Sequence, residues 1–326
     1  MTQKGDILTE RQLDNAVYAL AKHALSVGMI PIAGIMSRRQ RDGRHEVLGF
    51  GWNRLREGIP GIHGETGAIM NMGRIRTGYA DLTATSSLSP CPFCQCCLAL
   101  HMGVKDIRIL DATNYKPDLS GYAKVGLTPA VSEHAGIIKL FRKWVNDPAN
   151  ALIWNRDIGI YPGKTGRPFD ASKNRGRVRE LILIANSLAS QGLAAGEAPV
   201  GAIVVDAFGE VIGAGHPRIL LNNDPSMVAA MSAWRACGAR DHWKDKTLIL
   251  TCGPDHIAYS TFHIFNFGQL IVGSDAVFRG RIDDVRKLGR NVAVLKDSST
   301  DRLLKRWTAA NPSRAREYLG PDFRAA

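Results

Sequence analysis

Apolar residues recur at helical spacing from Leu13 to Val27 and again from Val178 to Ser190. Each stretch leads into a short apolar run opened by a proline: PIAGIMS from Pro31 in the first half and PVGAIVV from Pro199 in the second. A charged turn follows in both, then EVLGFG from Glu46 and EVIGAG from Glu210. Next comes a helix pattern in each half, HGETGAIMNMGR from His63 and MVAAMSAWRACG from Met227. The β-prone runs ATSSLSP and TLILTCGP then end at Pro90 and Pro254 and Ile107–Asp111 and Leu270–Gly273 supply a last apolar run to each half.

Helices alternating with short apolar strands predict an α/β fold. The repeat predicts two tandem three-layer α/β/α domains. Residues 1–160 form the first and 178–326 the second, joined by a basic Gly/Pro linker over 161–177. A length of 326 residues suits two domains. Met70, Met72, Trp234 and Trp307 read as core packing on helices.

The formal net charge is +12, which invites a nucleic-acid reading until it is divided along the chain. Residues 1–160 hold 19 basic and 14 acidic groups, 161–180 hold 6 and 2, and 181–326 hold 17 and 14. A third of the excess thus sits in one short segment that reads as solvated linker. The first residues carry charges throughout, with no apolar run of signal-peptide length. No stretch approaches the roughly 20 apolar residues of a membrane helix. A cytoplasmic protein without membrane association is the expectation.

Four of the six cysteines, Cys91, Cys94, Cys96 and Cys97, fall within seven residues, too close to form a disulfide framework. In a reducing compartment such a cluster points to metal or redox chemistry. His63-Gly64-Glu65 opens a predicted helix, and Pro90-Cys91-Pro92-Phe93-Cys94 follows at another strand-to-helix junction. Each motif alone is common. Together they offer Zn2+ one imidazole and two thiolates, leaving a fourth position for water whose pKa then falls towards ~7. Glu65 sits too near His63 in sequence to be a fourth ligand, and is placed to move protons from that water to a ring nitrogen and a leaving amine. The competing reading is a closed structural site completed by Cys96, Cys97 or His101, in which Glu65 has no task.

The H-x-E…P-C-x-x-C arrangement resembles the signature of zinc nucleobase deaminases. Over most of residues 10–159 the chain resembles the cytidine deaminase superfamily, and within it the fungal free-base cytosine deaminases. Pro31-Ile32, Gly51-Trp52-Asn53, His63-Gly64-Glu65, Leu88-Ser89-Pro90-Cys91, Cys94 and Trp154-Asn155-Arg156-Asp157-Ile158-Gly159 carry the likeness. The resemblance implies that Asn53 and the Gly64 N–H bind a ring carbonyl and that the Ser89 carbonyl accepts from the exocyclic amine. It also implies that Tyr115 stacks on the base, Trp154 forms an aromatic wall, and Asp157 binds the base's polar edge. The Asn53–His63 loop is one residue shorter than in the cytosine enzymes, and Gly121–Pro129 does not read as their last strand.

In the second half the same positions have changed. Superfamily members often read Asp-Pro-x-x-His-x-Glu around the first ligand; here Asp224-Pro225 is followed by Val228 and Ala230 at the His and Glu positions. The cysteine motif reads Pro254-Asp255-His256-Ile257-Ala258, and Pro217 replaces Asn53. A catalytically inactive copy that supports the first domain is the expectation. The sequence therefore predicts a zinc-dependent hydrolytic deaminase of a free aminated nucleobase or related small N-heterocycle. A homodimer is the expected assembly, and nucleic acid is the disfavoured partner. The alternative is a tRNA adenosine deaminase with fused active and inactive domains, and a third reading is a zinc-stabilised binding module without turnover.

Overall fold

A computed structural model describes residues 2–75, 78–116, 119–160, 166–238, 240, 242–320 and 323. Within it the chain divides into two compact units, Met1–Ile158 and Gly159–Ala326. Among the described residues no helix is long and apolar enough to cross a membrane.

The first unit opens with strand β1 (Ile7–Leu8) and helix α1 (Glu10–Ser26). Thr9 and Gln12 form a reciprocal capping box that satisfies free N–H groups at the helix start. Strands β2 (Ala33–Arg39) and β3 (His45–Trp52) form a hairpin, followed by α2 (Gly64–Met72) and β4 (Leu82–Ser86). Then come α3 (Pro92–Gln95), a π-helical segment Cys96–His101, β5 (Asp106–Ile109) and α4 (Leu119–Val125). Strand β6 (Thr128–Val131), α5 (Ala135–Val145) and α6 (Ala151–Asp157) complete the unit. The sheet runs β1-β3-β2-β4-β5-β6, with β4, β5 and β6 parallel and the other neighbours antiparallel.

Strand alternation divides the buried residues between the two faces of this sheet. Ala33 and Ile35 pack against Leu13, Val17 and Leu20 of α1 and Ile137 of α5. Gly34 turns the other way, towards Gly64 of α2. A bulge in the β2–β3 register at Met36/Ser37 lets Val47, Phe50 and Trp52 reach the α1 face while Gly49 and Gly51 lie against α2. Of Gly121–Pro129 the first five residues belong to α4 and only Thr128 and Pro129 enter a strand, β6, which lies at the sheet edge. A missing N–H is tolerated there because no further strand needs it.

The second unit repeats this plan. Helix α7 (Arg175–Ala194), β7 (Ala202–Val205), β8 (Val211–Gly215), α8 (Ala229–Ala236) and β9 (Thr247–Leu250) correspond to α1 through β4. Next are α9 (His256–Ile264), β10 (Gln269–Val272), α10 (Ile282–Lys287), β11 (Asn291–Val294), α11 (Asp301–Ala310) and α12 (Pro312–Leu319). The sheet order is β11-β10-β9-β7-β8, with an equivalent bulge at Val204/Val205. Trp234, Trp307 and Met72 are buried, whereas Met70 is only half-buried.

The segment 161–177 departs from a free linker. Residues 161–165 lie outside the described residues, but Phe169 is buried among Val178, Leu181, Ile203 and Ile249 of the second unit. Helix α7 also starts at Arg175, three residues before the apolar pattern begins. Polar Arg175, Gly176 and Arg177 extend the helix without extending its buried stripe, so periodicity does not reveal them.

Candidate metal centre and substrate cavity

Two helix starts in the first unit bring the candidate residues together. His63 is extended (φ −90°, ψ −179°) and caps α2, where its backbone N–H donates to Thr66 Oγ1 at 2.8 Å. Thr66 Oγ1 in turn donates to the Gly61 carbonyl at 2.8 Å, fixing the loop that leads into the helix. Gly64 lies directly on β2: a Cβ there would come within 2.7 Å of the Ala33 carbonyl carbon. Cys91 is likewise extended (φ −66°, ψ 161°) at the start of α3, with Pro92 in the first turn, where its lost N–H costs nothing.

His63, Cys91 and Cys94 are all buried, and their donor atoms lie within 4.8 Å of one another. Both sulfurs stand 3.4 Å from His63 Nδ1. Tetrahedral zinc with bonds of about 2.3 Å to sulfur and 2.0 Å to nitrogen would set an N···S edge of about 3.5 Å. The three donors therefore fit a zinc ion, and they are the one such cluster among the described residues.

Electrostatics bind the donors into one unit. Burial opposes charge on His63, but Asp157, Cys91 and Glu65 outweigh it and push the imidazole up to about 10. Burial also opposes ionisation of Cys91, yet the Cys94 thiol and the His63 ring hold it well below the usual thiol value while Cys94 rises. A metal on these atoms replaces their protons, because thiolate and neutral imidazole are the ligating forms.

Glu65, one residue into α2, is 4% exposed, and Ser86 Oγ at the end of β4 donates to its Oε1 at 2.7 Å. Burial raises its pKa against the lowering effect of Ser86, so this carboxyl holds a proton more readily than an exposed one. Asp157 at the end of α6 is equally buried. Its Oδ1 accepts from Asn53 Nδ2 at 2.7 Å and lies 3.4 Å from His63 Nε2. The second distance is that of an electrostatic contact more than a full hydrogen bond.

A small cavity of about 20 Å³ opens over the donors, lined by His63, Glu65, Cys91, Ser89, Tyr115, Trp154 and Asp157 together with Ile32, Leu88 and Ile158. Tyr115 and Trp154 meet edge to face with centroids 5.9 Å apart, and Trp154 also packs on Phe141 and Trp144. Burial, reinforced by the Cys91 and Cys94 charges, pushes the Tyr115 phenol up to about 12, so it stays neutral. The Asp111 carboxylate accepts from Thr113 N and Asn114 N, which orders the turn carrying Tyr115. Ser89 Oγ shares a 3.2 Å hydrogen bond with the Tyr122 hydroxyl, which also donates to the Pro90 carbonyl.

Asn53, Gly64 and Cys94 do not line the cavity. Asn53 is fully buried, and besides the Asp157 bond its Oδ1 accepts from Leu55 N at 3.0 Å. Sequence reasoning assigned no role to Ser86, Ile32, Leu88 or Tyr122. Ser86 closes β4, which is buried along its whole length and so shows no alternation to single it out, and Leu88 lies in the bend beyond the strand. Tyr122, 31 residues after Cys91, left no signal.

No family model matches the chain, and no curated protein matches it. Solved structures do. One comes from work on A-to-I editing by tRNA:A34 deaminases, at 21% identity, covering 39% of this chain and 99% of that one with a TM-score of 0.35. A guanine deaminase from Nitrosomonas europaea matches at 16% identity over 39% of this chain and 82% of its own, with a TM-score of 0.33. A guanine deaminase from Bacillus subtilis matches at 22% identity over 35% and 70%, with a TM-score of 0.27.

Proposed function

We propose that the first unit is a zinc-dependent hydrolytic deaminase of a free aminated nucleobase, cytosine-like, or a related small N-heterocycle. The observation that carries this reading is the placement of the buried Glu65 carboxyl in one cavity with His63 and Cys91 of the three-donor cluster. A structural metal site has no use for such a carboxyl, whereas hydrolysis needs a group that both takes and gives a proton.

His63 Nδ1 and the Cys91 and Cys94 sulfurs would hold the ion, which supplies Lewis acidity that makes water nucleophilic near neutral pH. Glu65 accepts a proton as water adds to the amine-bearing carbon and delivers it to the adjacent ring nitrogen, then takes the proton of the added hydroxyl and passes it to the amine. The C–N bond breaks, ammonia leaves, and a carbonyl remains, with one water consumed. Ser86 holds Glu65 Oε1 in place through these transfers. Tyr115, Trp154, Leu88 and Ile32 offer an apolar wall to an aromatic ring. The Ser89 carbonyl and Asp157 are the acceptors available to the exocyclic amine and a ring N–H.

The test is ammonia release by zinc-loaded protein from a panel of free bases, nucleosides, small aminated heterocycles and tRNA. Release from a free base supports the reading. Release from tRNA alone would replace it with an RNA-editing enzyme, for which binding should weaken steeply with added salt.

A further inference from the structure

The hydrogen bonds of the two units place their residues in one register. In the first unit Ser87 N donates to the Ala33 carbonyl and Ala33 N donates to Ser87 Oγ. In the second, Thr251 N donates to the Gly201 carbonyl and Gly201 N donates to Thr251 Oγ1. Gly51 lies against Gly67 and Ala68 of α2, and Gly215 lies against Ser232 and Ala233 of α8.

These pairs fix the equivalents of the donor residues. Val228 caps α8 as His63 caps α2, with extended backbone in both (φ −66°, ψ 167° and φ −90°, ψ −179°). Asp255 caps α9 as Cys91 caps α3, again with matching backbone (φ −70°, ψ −179° and φ −66°, ψ 161°). Ala230 then stands for Glu65 and Ala258 for Cys94. The backbone of a three-donor site is present, but Val228 and Ala258 cannot ligate: among the described residues the second unit brings no three donors together.

A small cavity of about 10 Å³ remains at this place, bordered by Val228, Ala230, Cys252 and Asp255 and closed by Tyr318 and Leu319 of α12. In the first unit the corresponding cover is Trp154 and Asp157 of α6. Tyr318 donates its hydroxyl to the buried Glu197 carboxylate, which also accepts from Leu220 N and Leu221 N at 2.9 Å each. The C-terminal helix is thereby latched over a site that no longer has its chemistry.

We infer that the second unit is the frame of a metal site with its ligands removed, that the chain holds a single metal in the first unit, and that restoring donors at Val228, Asp255 and Ala258 makes the second unit bind zinc. The inference rests on the zinc reading of His63, Cys91 and Cys94.

Zinc per full-length chain, measured by mass spectrometry after dialysis, tests it. Wild type is expected to hold one, and His63→Ala/Cys91→Ser/Cys94→Ser none. Adding Val228→His/Asp255→Cys/Ala258→Cys to that variant should restore one. A gentler graft, Val228→His/Ala258→Cys, keeps the Asp255 cap and offers its carboxylate as the third donor, and near-ultraviolet circular dichroism confirms folding of each chain. Zinc retained by the triple variant would overturn the inference, as would failure of a folded graft to take up zinc. Wild type without zinc would sink the reading of the first unit instead, and the grafts would still decide the second.

Discussion

Asp157 Oδ1 faces His63 Nε2 at 3.4 Å while accepting from Asn53 Nδ2 at 2.7 Å. One buried carboxylate thus ties the last helix of the first unit to the ring whose other nitrogen faces the two thiols. Such an outer partner fixes the ring's tautomer and orientation and raises its basicity, and losing it typically weakens metal binding 10–100-fold. Asp157→Ala should weaken zinc affinity by about that factor, with Asp157→Asn falling between the two. Competition against a chromophoric chelator measures this, and an unchanged affinity in Asp157→Ala would remove Asp157 from the metal's support.

Gly64 should tolerate no side chain. A Cβ at 2.7 Å from the Ala33 carbonyl carbon forces α2 away from β2, and overpacking of this kind costs about 1–3 kcal/mol. Gly64→Ala is expected to lower the first unit's melting temperature. Gly176, on α7 with nothing within 4 Å, is the opposite case. Gly176→Ala should stabilise by up to about 1 kcal/mol through helix propensity. Equal effects of the two substitutions in thermal unfolding would contradict the packing argument.

Asp255 gives the second unit a pH dependence with a defined sign. Burial pushes its carboxyl up to about 6 from an ordinary 3.8. The folded chain therefore binds this proton more tightly than the unfolded one. The resulting stabilisation is fully present below about pH 4, is lost as pH rises to about 6, and changes no further above that. Two pKa units correspond to about 3 kcal/mol. Asp255→Asn keeps an acceptor for Ala258 N and removes the titration. Denaturant unfolding of variant and wild type should show the variant's relative stability growing across that window; a constant difference would contradict the assignment.

The sequence carried both helix starts of the first unit, because capping and coordination use residues a few positions apart: His63 with Glu65, Cys91 with Cys94. It also carried the repeat, since Pro31 and Pro199, or Pro90 and Pro254, punctuate strands that alternation makes visible. Contacts made across long separations were hidden. The bond between Asn53 and Asp157 spans 104 residues, and it turns an expected pair of separate substrate contacts into one linked unit. Strand β6 escaped because Pro129 sits in it, and Phe169 because a single buried ring in a polar stretch has no period.

In the proposed reaction Glu65 is the residue on which the chemistry turns. The direct measurement is zinc content and ammonia release, side by side, for wild type and Glu65→Gln with whichever free base the wild type deaminates. The account predicts the same one zinc per chain in both and a loss of about 10²–10⁴-fold in turnover in the variant, the usual scale for removing a general acid–base group. A Glu65→Gln protein that keeps its zinc and releases ammonia at the wild-type rate would contradict it.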